Sequence, residues 1–309
     1  MEKWGDKPYH SLDYENKKRF GEKVYKISLA GGTTCPNRDG TLGTRGCCFC
    51  SGSGSGDFAA TKGSITEQIE DAIARVSRYK NTGHLFTAYF QSFTATYAPV
   101  ETLRVAWEEA MAHESVVTLA IATRPDCLGD DILSLLADCR KKMPVTVELG
   151  LQTIHPDTIR YIRRDYPNSV YETAVKNLKN IGVDVVTHVI AGLPGETKEN
   201  FLETVRYVAD IGSNGIKLQL LHVLKGTDLA LDYEKKLFQV LTLEEYLDYI
   251  TDALSILPPD MVIHRVTGDG PKDLLIAPLW SANKRMVLNS LHQKMKQEHI
   301  FQGKFHHGK

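Results

Sequence analysis

The chain has 309 residues, 42% of them hydrophobic and 24% charged, with a net charge of −1. That size and balance describe an ordinary globular protein able to bury an ample core as one large domain or two small ones, and they argue against a surface generally coated for nucleic acid. No apolar run approaches the roughly eighteen residues of a membrane span, and the charged N-terminus, MEKWGDKPYHSLDYENKKRF, lacks the apolar core of a secretory signal, so the cytoplasm is the expected compartment and no membrane partner is expected.

In chain order, residues 1–20 are polar and aromatic, with Trp4, Tyr9 and Tyr14, and are expected to pack as an irregular arm. Glu22–Leu29 alternates as a strand and delivers the chain into Thr33–Gly56, TTCPNRDGTLGTRGCCFCSGSGSG. This run of Gly, Ser, Thr and small polar residues is a loop. It holds Cys35, Cys47, Cys48 and Cys50, four of the six cysteines. Thiolates gathered in a glycine-rich loop suit an iron–sulfur cluster, a zinc ion or a disulfide. Cys47 and Cys50 form C-x2-C, and Cys35 stands eleven intervening residues upstream, where a long loop can fold back to a third corner. Three thiolates suffice to hold a four-iron cluster and leave one iron open. Cys48 could complete a four-thiolate zinc site, but adjacent side chains diverge and seldom ligate one tetrahedral metal. A disulfide is the weakest reading, since nothing points to an oxidising compartment.

After the loop, Ser64–Arg78 opens with a capping box, Ser64 and Glu67, and spaces Ile65, Ile69, Ile73 and Val76 as a helix. The unit then repeats. Strands are predicted at Leu85–Phe90, Val116–Ala122, Val145–Leu149, Val183–Ile190 and Ile216–Leu221. Helices are predicted at Val100–His113, Asp130–Lys141, Thr158–Arg163, Val170–Ile181, Lys198–Ile211 and Leu243–Leu257. Alternation of β-branched runs with amphipathic helices means parallel strands with helical crossovers. Six units suit an α/β fold, a partial (β/α)6 TIM-like barrel over residues 21–260. A C-terminal extension, 261–309, has a strand-like Met261–Arg265 and a helix Ser281–Gln297 expected to close the open side.

In such a barrel the chemistry lies at the C-terminal strand ends, and those ends here are polar and glycine-rich: Gln91–Tyr97, Thr123–Asp126, Glu148–Thr153, Ala191–Glu196 and Leu221–His222. Together with Phe49 before the last loop cysteine and the Gly/Ser run after it, these segments carry a likeness. The cysteine loop resembles that of the radical S-adenosylmethionine (SAM) superfamily. Its commonest spacing is C-x3-C-x2-C; the longer first gap here looks like the branch holding the Elongator catalytic subunit and the YhcC/YtqA type. TRPD, ELGLQT and GLPGET resemble strand-end motifs of that branch, and YFQSFTATYAP the second-strand motif of the YhcC/YtqA type.

The resemblance implies a [4Fe–4S] cluster on Cys35, Cys47 and Cys50, with SAM at the open iron and contacts from Phe49, Gln91, Arg124, Glu148, Gln152, Gly192 and His222. One departure is Gln91-Ser92-Phe93, where the family often has the Gly-Gly-Glu that holds the SAM amino group. The resemblance also implies a one-electron donor such as flavodoxin or ferredoxin and, because the branch acts on C5 of the wobble uridine, tRNA as substrate. Acetyl transfer is not implied, since only about 50 residues follow the last barrel helix. A small-molecule or protein substrate, or a non-catalytic zinc-bearing RNA-binding or scaffold protein, are the alternatives. Brown colour after anaerobic purification separates cluster from zinc.

Other residues carry paired readings. Cys48 fills the loop; Cys127 sits near a strand end as hydrogen donor or, more ordinarily, buried thiol; Cys139 belongs to a helix core. Glu148 and Gln152 share a strand face by alternation, and a buried Glu148 needs a ribose hydroxyl or Arg124 as partner. His188 and His222 are core histidines or substrate contacts, and Gly192 and Gly195 allow close approach to the cofactor or simply turn the chain. Lys284 to Lys309 holds six Lys/Arg against Glu298, a solvated face or a phosphate-binding patch.

Overall fold

The computed structural model describes residues 4–306 apart from 55, 57, 58, 60–62 and 269; Lys309 of the basic segment lies outside them. The N-terminal arm is not irregular throughout. Ser11 caps α1 (Leu12–Phe20), accepting from the Tyr14 amide at 3.3 Å, and Gly21 ends it at φ 79°, a conformation that favours glycine. Asp13 and Glu15 lie in the first turn and Lys17, Lys18 and Arg19 in the last, each opposing the helix dipole. These signals are in the sequence. What hides the helix is the lack of an apolar stripe, since Asn16 is its one buried residue.

The alternation of strand and helix is present: β1 (Val24–Leu29), α2 (Ile65–Ser77), β2 (Leu85–Phe90), α3 (Val100–Ala112), β3 (Val116–Thr123), α4 (Asp130–Lys142) and β4 (Val145–Gln152). There follow α5 (Pro156–Ile162), α6 (Asn168–Asn180), β5 (Asp184–Ala191), α7 (Lys198–Asp210) and β6 (Gly215–Leu220). The last elements are β7 (Val223–Leu224), α8 (Asp228–Glu234), α9 (Leu243–Ile256), β8 (Val262–Arg265), β9 (Leu275–Ala277) and α10 (Lys284–Gln297). One sheet runs β1-β2-β3-β4-β5-β6-β8 with every neighbouring pair parallel, and it curls into a half-barrel.

The sheet has seven strands where six units were expected. Val262–Arg265 does not cover the open side; it hydrogen-bonds to β6 as a further strand. The gap between β8 and β1 is spanned from the N-terminus. Ser11 bridges to Ile263, whose amide donates to the His10 carbonyl at 2.7 Å, and α1 packs against both edge strands. Helix α10 packs on α9, with Val287, Leu291 and Met295 buried.

The strand period of two sorts the side chains. On β4, Val145, Val147, Leu149 and Leu151 pack into the apolar layer under the helices, each contributing roughly 1.5–3 kcal/mol. Thr146, Glu148 and Gly150 face the barrel interior. A charged residue at an inner position therefore escapes the helix layer and lands in the barrel, where it must find a partner.

Candidate active site

The inner face of the half-barrel borders a cavity of about 1480 Å³. That exceeds the roughly 300–1,000 Å³ of a site for one small ligand. Cys35, Cys47, Phe49 and Cys50 line it where the loop after β1 overhangs the strand ends, as do Gln91, Arg124, Gln152 and His222. Glu148 lines it from within the barrel, four residues and so about 13 Å before the end of β4.

Backbone turns shape the cysteine loop. The Arg38 amide donates to the Cys35 carbonyl at 2.8 Å, Gly46 to Asn37 at 2.7 Å and Cys50 to Cys47 at 3.1 Å. Cys48 turns away as adjacency requires. It is 4% exposed, packed with Ile162, Leu193, Leu221 and Leu229, and its carbonyl accepts from the Leu229 amide at 3.0 Å. Cys47 and Cys50 lie together, and their mutual hydrogen bond, with burial, pushes the Cys47 thiol well above its ordinary pKa. Asn37 ties the pair to α5, its Nδ2 donating to the Arg163 carbonyl at 2.7 Å and reaching Cys47 Sγ at 3.7 Å. Among the described residues, no group of three or more His, Cys, Asp or Glu is already arranged to hold a metal ion. The loop is a set of soft donors around the cavity mouth, and the raised pKa of the Cys47 thiol is what a cationic iron centre would reverse.

The inner end is built differently. Glu148 is 1% exposed and lies among four donors. Lys26 Nζ stands 2.6 Å from Oε1; Tyr89 donates to Oε2 at 2.5 Å, His188 Nε2 lies 2.9 Å from it, and Lys217 reaches the same oxygen. A carboxylate can only accept, so His188 carries its proton on Nε2, and Nδ1 takes the Gln219 amide at 3.0 Å. Burial would raise the Glu148 pKa, but Lys217 and Lys26 hold it well below the usual carboxylate range. Burial lowers Lys217 to about 7 and His188 to about 4. The two ammonium nitrogens lie 4.4 and 4.9 Å from the Tyr89 ring centre.

This corrects one expectation. Arg124 is not the partner of Glu148; it grips Asp126 with two bonds, 2.9 and 2.7 Å, and donates to the Arg164 carbonyl at 2.9 Å. Three of the four donors converge on Glu148 Oε2, and Lys26 reaches Oε1. The sequence reading also missed Lys26, Tyr89 and Lys217. A lysine at an inner position of a strand otherwise as apolar as IKLQL was the available signal.

Gln152 does line the cavity, but alternation does not take it there: β4 shifts register between Gly150 and Gln152, which has φ 63°. Its amide folds back to donate to the Leu151 and Gly150 carbonyls at 3.0 and 3.2 Å. An added Cβ at Gly150 would lie 2.7 Å from the end of the Gln152 amide, which would have to shift. Gln91 donates to Ser28 Oγ at 3.0 Å, and His222 Nε2 lies 3.1 Å from Ser281 Oγ. Gly192 and Gly195 are not among the lining residues; both turn the chain at positive φ, and Gly192 packs under Leu241. Cys127 also lies off the cavity wall, its thiol pushed to about 12 by burial and then by Asp126, and Cys139 is core.

The sequence matches the Radical SAM superfamily over residues 22–208 and the Radical_SAM C-terminal domain over residues 213–297. It is 44% identical over 306 residues to the uncharacterized protein YtqA of Bacillus subtilis, covering 97% of this chain and 93% of YtqA. It is 26% identical over 191 residues to the tRNA uridine(34) acetyltransferase of Methanocaldococcus jannaschii, covering 61% of this chain and 34% of that protein. Among solved structures, the archaeal Methanocaldococcus infernus Elp3 with an N-terminal deletion matches with a TM-score of 0.68 at 17% identity, covering 90% of this chain and 64% of that one, a likeness of fold. No helix of the described residues is long and apolar enough to cross a membrane. The chain belongs to the radical SAM superfamily and is an enzyme of that class, whose cofactors are a [4Fe–4S] cluster and SAM.

Proposed function

We propose that this radical SAM enzyme modifies a nucleoside of tRNA, the wobble uridine or its side chain, in the cytoplasm, with an electron from a donor such as flavodoxin or ferredoxin. The observation that carries the substrate is the 26% identity to a tRNA uridine(34) acetyltransferase over 61% of this chain. The cavity agrees with it: eleven Lys and Arg line it against three Asp and Glu among the described residues. That excess suits a polyanion. Acetyl transfer is not part of the proposal.

In this reading Cys35, Cys47 and Cys50 hold the cluster, and Cys48 anchors the loop to α5 and α8 from its apolar pocket. When bound, the cluster and SAM supply a carbon radical that takes a hydrogen atom from the substrate. The chain's own part is to orient and enclose. Asn37 directs an amide N–H at Cys47, the kind of bond that tunes a cluster. Phe49 offers a ring for the adenine, and Gln91, Gln152 and His222 offer polar contacts for the rest of SAM. Glu148 holds Lys26 and Lys217 in place. The basic C-terminal segment supports phosphate contact in part: Arg285 and Lys296 are exposed, whereas Lys294 is held by Asp248 and Glu298 at 2.8 and 2.6 Å.

Mass spectrometry of total tRNA nucleosides from cells with and without the gene tests the substrate. One nucleoside should disappear and its precursor accumulate; an unchanged profile while the gene is expressed removes tRNA from the proposal.

A further inference from the structure

The inner end of the cavity has no ligand assigned to it by the reading above. Lys26, Lys217 and Arg265 meet there, and Glu148 is the carboxylate among them. His188 and His264 add no charge, since burial lowers the pKa of both. Burial lowers Lys217 to about 7, so near neutral pH it is only part protonated, and a second anion beside Glu148 would favour its ammonium form. Lys217 is 5% exposed at its side chain and Lys26 24%, so neither is simply a solvated surface lysine. Both are held rather than mobile: they come from strands β1 and β6, share Glu148, and lie against the Tyr89 ring. Each ammonium has three donors, so bonding Glu148 leaves donors for a second acceptor. The cavity is also larger than one small ligand needs, which leaves room beyond SAM.

We propose that Lys26 and Lys217, with Arg265 beside them, bind an anionic group of the substrate, a carboxylate or a phosphate, and that Glu148 is their positioning residue. The inference rests on the cavity's being the place where substrate meets the radical, and not on the substrate's being tRNA. Backbone phosphates of a nucleic acid would stay at the mouth, so an anion at this depth belongs to the unit that reacts.

Isothermal titration calorimetry of the anaerobically reconstituted holoenzyme, with succinate and with inorganic phosphate in separate runs, tells the two sources apart. One of them should bind saturably. Lys26→Met and Lys217→Met should each weaken it about tenfold or more, the loss of one charge-assisted hydrogen bond. Lys217→Arg should retain more binding than Lys217→Met, and Lys176→Gln, exposed on α6 away from the cavity, should stay within about twofold of wild type. Circular dichroism and cluster absorbance confirm that each variant is folded; if Lys217→Met is not, Lys26→Met and Lys217→Arg decide. Saturable binding of neither anion, or equal binding by wild type and the two methionine variants, overturns the proposal. No tRNA is present in this experiment, so that failure would leave the tRNA reading standing, and an unchanged tRNA profile would leave the anion site standing.

Discussion

The two ends of the cavity solve opposite problems. The cysteine end is one loop, bent by backbone hydrogen bonds, that sets Cys50 against Cys47 and so disfavours the charge of Cys47. The inner end is assembled from five strands whose side chains are hydrogen-bonded around the ionised Glu148. A loop can adjust around an arriving cluster. A charged layer inside a packed barrel cannot, and it must be built with its counter-ions in place. On the proposed reading one end is a receptor for a cofactor and the other a fixed electrostatic surface.

The largest expected effect breaks the cysteine end. Replacing Cys35, Cys47 or Cys50 by Ala should abolish the iron–sulfur absorbance and all SAM cleavage. Cys48→Ala should keep both and cost roughly 1 kcal/mol of stability as a small cavity opens in its apolar cluster. Loss of the chromophore in Cys48→Ala would reverse the assignment.

At the inner end, Glu148→Ala removes the counter-ion of two lysines and should lower unfolding stability by about 3 kcal/mol, the low end for a broken buried pair because Lys26 keeps some solvent. Urea unfolding reads this as a lower midpoint with an unchanged slope. A change below about 0.5 kcal/mol would mean the layer is wet and weakly bound.

A smaller effect separates the ends by pH. Burial lowers Lys217 from 10.5 to about 7, so between those values the unfolded chain binds a proton that the folded chain does not. Its contribution to stability therefore rises with pH across that window, by at most about 1.4 kcal/mol per unit. Subtracting the Lys217→Met curve from wild type isolates it between pH 7 and 9. Of the groups that face it, Glu148 and His188 titrate below the window and Tyr89 above it, while Lys26 and Arg265 are present in both proteins. Parallel curves would show that Lys217 does not titrate there.

The smallest effect concerns the rim. Arg285→Gln and Lys296→Gln on the exposed side of α10 should each reduce the salt dependence of tRNA binding by about one counter-ion. An unaltered slope in both would move the tRNA contact elsewhere.

The cysteine end could be proposed from sequence because its candidate ligands share one glycine-rich loop, where soft thiols have few other uses. The barrel was legible from its alternation, down to most strand bounds. The helix over Leu12–Phe20 was missed although Ser11 and Gly21 mark its ends, because a polar helix carries no periodic signal. The seventh strand was visible as Met261–Arg265, but its place beside β6 was not, since pairing is a long-range choice.

The sequence by itself determined the order of strands and helices, a property of local spacing and period, and carried the motifs whose resemblance pointed to the superfamily. Only the tertiary structure decided that Lys26, Tyr89, Glu148, His188 and Lys217 form one layer. It also took Arg124 to Asp126 and sent Gln152 into the cavity through a bulge. The reason is physical: a buried charge selects whichever donors the folded barrel brings within about 3 Å, and residues far apart in the chain give no local sign of that meeting.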